Sequence, residues 1–144
     1  NSHITFRFIG DIDDPTANEV GSMLDHVSRR RFELKIDGLS SFGGRKPRAI
    51  VATIAAPNAL LELQAEHERI MQRIGLEPEG RKFTPHITLA RLRDSSNHQV
   101  AAFLSERGSF RTPPFSVGEF VLYSSRASVG GGPYIVEAAF PLAA

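Results

Sequence analysis

The chain has 144 residues, a length that fits a single domain with one sizeable core. Its 17 Lys and Arg nearly balance its 16 Asp and Glu, which argues against a protein that coats duplex nucleic acid through bulk charge but leaves a local basic site open. Cysteine is absent and no apolar run approaches the roughly 20 residues that cross a bilayer, which excludes thiolate metal sites and membrane spans and favours a cytoplasmic protein.

The first predicted element is a strand over Ile4–Ile9, where apolar and polar residues alternate. Asp13 and Pro15 supply a cap and a first-turn proline, so they predict that a helix follows. The arginines at 29–31 are expected near the C-terminus of this helix, where positive charge suits the helix dipole. Phe32–Leu39 alternates again and predicts a second strand.

A polar loop is expected over Ser40–Pro47, followed by a strand over Arg48–Ala55. Apolar residues at three-four spacing then predict a helix from Asn58 to Ile74, and Gly75 is a natural stop. His67 falls on the apolar stripe of this helix and is interpreted as a packed structural histidine.

A further strand is predicted over His86–Leu92, and a short helix capped by Ser95 or Ser96 and ended by Gly108 comes next. The remaining elements are predicted to be a strand pair and its turn: Phe115–Ser124, Pro133–Phe140 and the glycines 130–132 between them.

The predicted elements repeat along the chain. Strand, helix, strand, strand begins at His3 and begins again at His86. A strand–helix pair, 48–74, precedes the second copy, whereas no counterpart precedes the first. We therefore expect an α+β fold with two pseudo-symmetric lobes of antiparallel-rich sheet, outer helices and a central cleft. Residues 1–144 would form one such domain, without its N-terminal strand and helix.

The same tripeptide pattern begins both copies of the repeat: His3-Ile4-Thr5 and His86-Ile87-Thr88. Five His and six Thr in this length predict only about 0.2 His-x-Thr matches by chance. Because residues i and i+2 of a strand project to one face, each motif presents an imidazole beside a hydroxyl. Two such pairs across a cleft would flank one phosphate, with one histidine as general acid and the other as general base.

A histidine at the start of a strand is commonly a surface or structural residue, and one isolated His-x-Thr would carry little weight. The paired motifs favour catalysis instead. Neither proton-transfer role requires a metal, and the remaining histidines do not show the ligand spacing of a zinc site. We expect no metal and no cofactor.

Two segments resemble the signatures of the 2H phosphoesterases: SHITFRFIGDID around the first motif and TPHITLARLR around the second. The ending EFVLYSSRASVGGGPYIVEAAFPL extends the resemblance, which is closest to the RNA 2′,3′-cyclic phosphodiesterases, also called 2′-5′ RNA ligases. It implies a LigT-like fold and hydrolysis of a terminal RNA 2′,3′-cyclic phosphate to a 2′-phosphate. It also implies His3 as proton donor, His86 as proton acceptor, and Thr5 and Thr88 as phosphoryl ligands. Ligation, the reverse reaction, would exchange the roles of the histidines.

Two arginines are candidate phosphate ligands. Arg91 matches a basic position of the subgroup, but strict alternation places it on the face opposite the second motif, so a strand end or a bulge must turn it inward. Arg7 alternates correctly with the first motif. The alternative for each is a solvated surface charge.

Two alternatives stay open at this point. The cleft could belong to a nucleotide- or RNA-binding module without catalysis, which would bind a cyclic-phosphate nucleotide without converting it. Arg45 and Lys46, beside Phe42, could contact an RNA backbone and stack a base, or could form an ordinary solvated loop. RNA ends or nucleotides are the expected partners, and the protein is expected to be a monomer.

Overall fold

The computed structural model describes residues 2–125 and 134–144. Within them the chain forms, in order, α1 (Asp14–Leu24), β1 (Phe32–Leu34), β2 (Ile36–Phe42), β3 (Ala49–Ile54), α2 (Asn58–Ile74), β4 (His86–Arg91), α3 (Asn97–Arg107), β5 (Phe115–Val117), β6 (Glu119–Ser124) and β7 (Ile135–Pro141).

Every strand pair among these elements is antiparallel. The strands β2, β3 and β4 form a three-stranded sheet in that order, while β1 pairs with β5 and β6 pairs with β7. Antiparallel sheets with helices packed beside them make this an α+β protein, as the sequence predicts.

The prediction of one continuous strand over Phe32–Leu39 is wrong. The chain breaks at Lys35, so that β1 joins β5 and β2 joins β3. The polar loop predicted over Ser40–Pro47 also begins later than expected. Ser40, Ser41 and Phe42 continue β2 because they pair with the first half of β3.

The strand predicted over Ile4–Ile9 is wrong except at its first residue. Within the described part of the chain, Ile4 alone in this segment has a β-partner, Ile87. Farther along, Phe6 packs its ring on those of His67 and Phe83. The alternation does not follow burial, because Phe8 is 61% exposed while the Arg7 side chain is only 8% exposed. Among the described residues no neighbouring strand completes a ladder along Thr5–Ile9.

Helix α1 begins as predicted, because the Asp13 carboxylate accepts a hydrogen bond from the Thr16 amide at 2.9 Å. The helix ends at Leu24, well before Arg29. The prediction that the arginines at 29–31 lie near its C-terminus is therefore wrong. Arg29 instead pairs with two carboxylates of α2, Glu66 at 2.5 Å and Glu62 at 3.3 Å.

The other helices follow their predictions. Helix α2 has the predicted bounds and ends at Gly75, whose φ of 109° lies in the left-handed region that glycine adopts freely. Ser96 caps α3 and forms a capping box with Gln99. The pair β6–β7 confirms the predicted C-terminal strand pair, and the predicted glycine turn at 130–132 lies outside the described residues.

Two apolar clusters hold the elements together, and α2 contributes to both. The first apolar cluster joins α1, α2 and the β6–β7 pair; its buried members are Val20, Leu24, Leu63, Ile70, Met71, Phe120, Phe140 and Leu142. The second apolar cluster is built on Leu34, Ile54 and Leu60, and both central isoleucines of the His-x-Thr motifs pack against it. The expectation that the domain lacks its N-terminal strand and helix stays a prediction.

None of the described helices is long and apolar enough to cross a membrane.

Candidate active site

The two His-x-Thr motifs meet through their central residues. Ile4 and Ile87 form an antiparallel bridge, and both side chains pack toward the second apolar cluster. Around such a pair, the first residue of one motif lies across from the third residue of the other. The diagonal of a regular antiparallel pair is about 7–8 Å, so the bridge brings the backbone of His3 near that of His86.

The second motif occupies the start of β4, at the edge of the three-stranded sheet. His86 pairs with Thr53 of β3, and Thr88 pairs with Val51. Because residues opposite each other on neighbouring strands share a face, the imidazole and the hydroxyl of this motif project to the same side of the sheet.

A β-bulge follows the second motif and changes the direction of Arg91. Thr88 pairs with Val51 and Ala90 pairs with Ile50, which leaves Leu89 as the extra residue. After the bulge Arg91 pairs with Ala49, which lies on the same face of β3 as Val51. Arg91 therefore shares the face of the second motif, and the bulge that its alternation required is present.

The ring of His86 is held from two directions. Its Nδ1 lies 2.7 Å from the carbonyl oxygen of Thr84, which can only accept, so Nδ1 carries the proton. In the neutral imidazole the lone pair is then on Nε2, the nitrogen left for acid–base chemistry. The ring of Phe42 meets the imidazole edge-to-face with centroids 4.6 Å apart.

The ring of His3 lies among tyrosines. Tyr123, on β6, has its ring centroid 5.3 Å from that of His3, and Tyr134, just ahead of β7, lies at 5.5 Å in an edge-on arrangement. The two tyrosine rings are themselves 5.7 Å apart. His3 thus packs beside tyrosines of the β6–β7 region, whereas His86 packs beside Phe42 of β2.

Arg7 takes a different environment from the one its alternation suggests. Its guanidinium lies 3.3 Å from the Glu68 carboxylate of α2 and donates to the backbone carbonyl of Glu77. Only 8% of its side chain is exposed. These contacts tie the first-motif segment to α2, and contact of Arg7 with a phosphate stays a prediction.

The interpretation of His67 as a structural residue is confirmed. It is 5% exposed, its Nδ1 lies 2.8 Å from the Leu63 carbonyl, and its ring packs between those of Phe6 and Phe120. Burial lowers the pKa of His67, so the neutral form is favoured in the folded protein.

An open cleft of about 1620 Å³ runs along the first-motif segment toward β6. His3, Thr5 and Tyr123 line it, together with apolar core residues, but the second motif contributes only Ile87. The cleft therefore adjoins the first histidine and does not by itself include both. In the described residues no group of three or more His, Asp or Glu side chains could hold a metal ion.

A sequence model of the LigT-like phosphoesterases matches the chain in two consecutive segments, residues 1–52 and 53–134, and each segment contains one His-x-Thr motif. The chain belongs to this family. The division of the match agrees with the repeat that the order of elements predicts.

Relatives in the family are similar over most of the chain. An RNA 2′,3′-cyclic phosphodiesterase of Aeropyrum pernix is 37% identical over 128 residues, which cover 87% of this chain and 73% of that protein. An RNA 2′,3′-cyclic phosphodiesterase of Aquifex aeolicus is 30% identical, covering 99% of this chain and 78% of its own length.

Solved LigT-like structures share the fold. Escherichia coli LigT complexed with 3′-AMP superposes with a TM-score of 0.74 at 24% identity and covers 99% of this chain and 77% of that protein. The same enzyme complexed with phosphate gives a TM-score of 0.71 at 21% identity, with 100% and 76% covered. These likenesses confirm the LigT-like fold predicted from the two signatures.

Sequence reasoning missed two aromatic neighbours of the motif histidines. The sequence predicts a loop position for Phe42 and a possible base-stacking role, whereas Phe42 ends β2 and packs on His86. No sequence pattern points to Tyr134. Neither residue lies near its histidine in sequence, so only the strand pairing of the folded chain reveals the contact.

Proposed function

We propose that this protein hydrolyses terminal 2′,3′-cyclic phosphates of RNA to 2′-phosphates without a metal ion. The observation that carries the proposal is the antiparallel bridge between Ile4 and Ile87, because it brings the two His-x-Thr motifs together. The relatives named RNA 2′,3′-cyclic phosphodiesterases support the substrate class.

His86 is the proton acceptor in this scheme. Its Nδ1–H donates to the Thr84 carbonyl, so Nε2 is oriented to remove a proton from a water molecule. The water oxygen forms a bond to phosphorus while the bond from phosphorus to O3′ breaks. His3, in its protonated form, gives its proton to O3′, which leaves the phosphate on O2′.

The remaining residues of the site act on the phosphoryl oxygens. Thr5 and Thr88 donate hydroxyl hydrogen bonds to them, each from beside its motif histidine. Arg91 adds a guanidinium from the same face as Thr88, and charge-assisted hydrogen bonds from arginine are among the stronger ones available to a phosphate. Arg7 is a further phosphate ligand only if it exchanges its pairing with Glu68.

The decisive experiment incubates the protein with an oligonucleotide that ends in a 2′,3′-cyclic phosphate, in the presence of EDTA. We expect conversion to a 2′-phosphate, identified by its mobility against 2′- and 3′-phosphate standards. The His86→Ala variant should bind the same oligonucleotide and fail to convert it. Tight binding without conversion by the unaltered protein would instead identify a nucleic-acid-binding module, and conversion only after added metal would reject the metal-free scheme.

Ligation uses the same ring-opening step with an alcohol as the nucleophile, so the histidines keep their roles and the expectation that they exchange them is wrong. If it occurs, a 5′-hydroxyl oligonucleotide takes the place of water and His86 accepts its proton during formation of the 2′-5′ bond. Supplying such an oligonucleotide together with the cyclic-phosphate end tests this direction. The expectations of a monomer and of a cytoplasmic location stay predictions.

A further inference from the structure

Positively charged residues lie together at the end of the three-stranded sheet beyond Arg91. Leu92 donates its amide hydrogen to the Arg48 carbonyl at 2.8 Å, which places Arg93 next to the start of β3. The turn between β2 and β3 carries Arg45 and Lys46 at the same end. We call the four cationic residues gathered there, Arg45, Lys46, Arg48 and Arg93, the basic end.

The turn within the basic end has a defined shape. The Lys46 amide donates to the Gly43 carbonyl at 3.1 Å, and the Arg48 amide donates to the Phe42 carbonyl at 2.7 Å. Gly43 has a φ of 111°, and a Cβ at this position would collide with the Lys46 carbonyl and come within 2.7 Å of the Arg48 nitrogen. The cations are therefore displayed by an ordered turn that requires glycine.

These charges lack acidic partners within the part of the chain that the structure describes. The arginines of the ion pairs found there, Arg7, Arg29 and Arg81, all lie outside the basic end. Asp94 is the one anionic residue in the segments 43–48 and 91–94. The net charge of the whole chain is only +1, so the exposed cations of the basic end form a local excess of positive charge. Such an excess is suited to binding a polyanion.

The basic end lies beyond Arg91, at the end of the three-stranded sheet that is farther from His86. From Thr53, opposite His86, to Ala49, opposite Arg91, β3 advances by four residues, or roughly 13 Å. The turn begins beyond Ala49, so along the sheet it lies farther from His86 than Arg91 does. The ring of Phe42 lies between the two regions, because it precedes the turn and packs on His86.

We infer that the basic end binds the phosphodiester backbone of the RNA chain upstream of its terminal nucleotide. The substrate class of the proposed phosphodiesterase is then a single-stranded oligonucleotide, in preference to a free cyclic mononucleotide. Binding of a single strand through a basic track beside an aromatic ring is a common arrangement. The kinetic test of this inference rests on the proposed function, whereas the binding test does not.

The test compares two double variants with the same change in net charge. Arg45→Gln with Arg93→Gln removes two cations of the basic end, and Arg69→Gln with Arg73→Gln removes two exposed cations of α2 as the control. Each protein is assayed on a 2′,3′-cyclic mononucleotide and on a six-nucleotide single strand that ends in the same group. Circular dichroism and thermal unfolding establish that the variants are folded.

We expect the basic-end variant to lose roughly 5- to 20-fold in kcat/KM on the oligonucleotide at low salt and less than twofold on the mononucleotide. Its plot of log kcat/KM against log salt should be shallower by about 1.4, since each single-strand phosphate contact contributes about 0.7. The control should match the unaltered protein. Equal losses on both substrates, or equal losses in both double variants, would overturn the inference.

Equilibrium binding separates this inference from the proposed function. Fluorescence anisotropy with the six-nucleotide strand ending in a 2′-phosphate measures affinity without turnover. If the unaltered protein converts neither substrate but binds this strand through the basic end, the proposed function fails and the inference stands. If the unaltered protein converts both substrates equally well and binds the strand no more tightly than the basic-end variant does, the inference fails and the proposed function stands.

Discussion

Ile4 and Ile87 stand opposite each other in an antiparallel bridge, and both pack against the second apolar cluster. Each is the central residue of a His-x-Thr motif, so the apolar residue of the pattern supplies the anchor while its neighbours face the other way. The positions of the two imidazoles therefore depend on a contact between residues that are distant in the chain.

Replacement of either motif histidine should remove most of the activity. His3→Ala and His86→Ala are each expected to lower kcat by about 10²- to 10⁴-fold, the usual contribution of positioned proton transfer. The measurement is the initial rate of cyclic-phosphate opening across pH, where the unaltered protein should give a bell-shaped profile. The exposed His26 and His98 provide controls, and an alanine at either should leave the profile unchanged.

Deletion of Leu89 should leave Arg91 on the face of the second motif. Without the extra residue Arg91 follows Thr88 by two positions, so a regular strand places both side chains on one face, with Arg91 still opposite Ala49. We expect the deletion variant to retain most of its kcat/KM, whereas Arg91→Gln should lower kcat/KM about 10- to 100-fold because a hydrogen bond to a charged group is lost. Leu89→Gly retains the residue count and should keep nearly full activity, since Leu89 is 52% exposed.

Two results would contradict this interpretation of the bulge. One is a deletion variant that stays folded by thermal unfolding but in which Arg91→Gln causes no further loss of activity. The other is an Arg91→Gln variant with a normal KM and kcat, which would mean that the guanidinium does not contact the substrate.

His67 should make stability depend on pH in mildly acidic solution. Burial lowers its pKa below the ordinary value of 6.5, so below about pH 6.5 the unfolded chain binds a proton that the folded protein resists. The stability is fully present above that pH and is lost as the pH falls. Urea unfolding between pH 7.5 and 5 should show this decline, and His67→Leu should flatten it.

The matched control for His67 is His26→Gln, because His26 is exposed and should leave the pH dependence unchanged. The carboxylates of Asp13 and Glu79, whose pKa values are lowered chiefly by hydrogen bonds from Thr16 and Arg81 respectively, lose their stabilising contribution at lower pH than this range. An unchanged slope in His67→Leu would show that another group controls stability between pH 5 and 6.5.

Loss of the Tyr134 ring should affect turnover more than binding. The ring packs edge-on against His3, and aromatic contacts of this kind contribute about 0.5–1.5 kcal/mol. Tyr134→Leu is therefore expected to lower kcat by roughly 2- to 10-fold with little change in KM. Tyr134→Phe retains the ring and serves as the matched control. A normal kcat in Tyr134→Leu would reject a positioning role.

The helices were the most predictable part of the fold because their determinants are local. The bounds of α2 follow from its apolar stripe and from Gly75, and the start of α3 follows from Ser96. Strand partners depend on distant segments instead. The break at Lys35 is invisible in the sequence, since β1 leaves its neighbour β2 to pair with β5 near the other end of the chain.

The candidate site was predictable to the extent that its chemistry lies in short motifs. His3 and His86 followed from a repeated pattern, and the need for a bulge before Arg91 followed from strict alternation. The pairing of Arg7 with Glu68 was not foreseen, because it depends on how α2 packs beside the first-motif segment.

Helix α2 packs against both apolar clusters, with Leu60 in one and Leu63, Ile70 and Met71 in the other. The two copies of the repeat consequently lack separate cores, and losing this helix would disrupt the surroundings of both imidazoles at once. The duplicated halves should melt together in a single cooperative transition, so that neither half survives as an independently folded fragment.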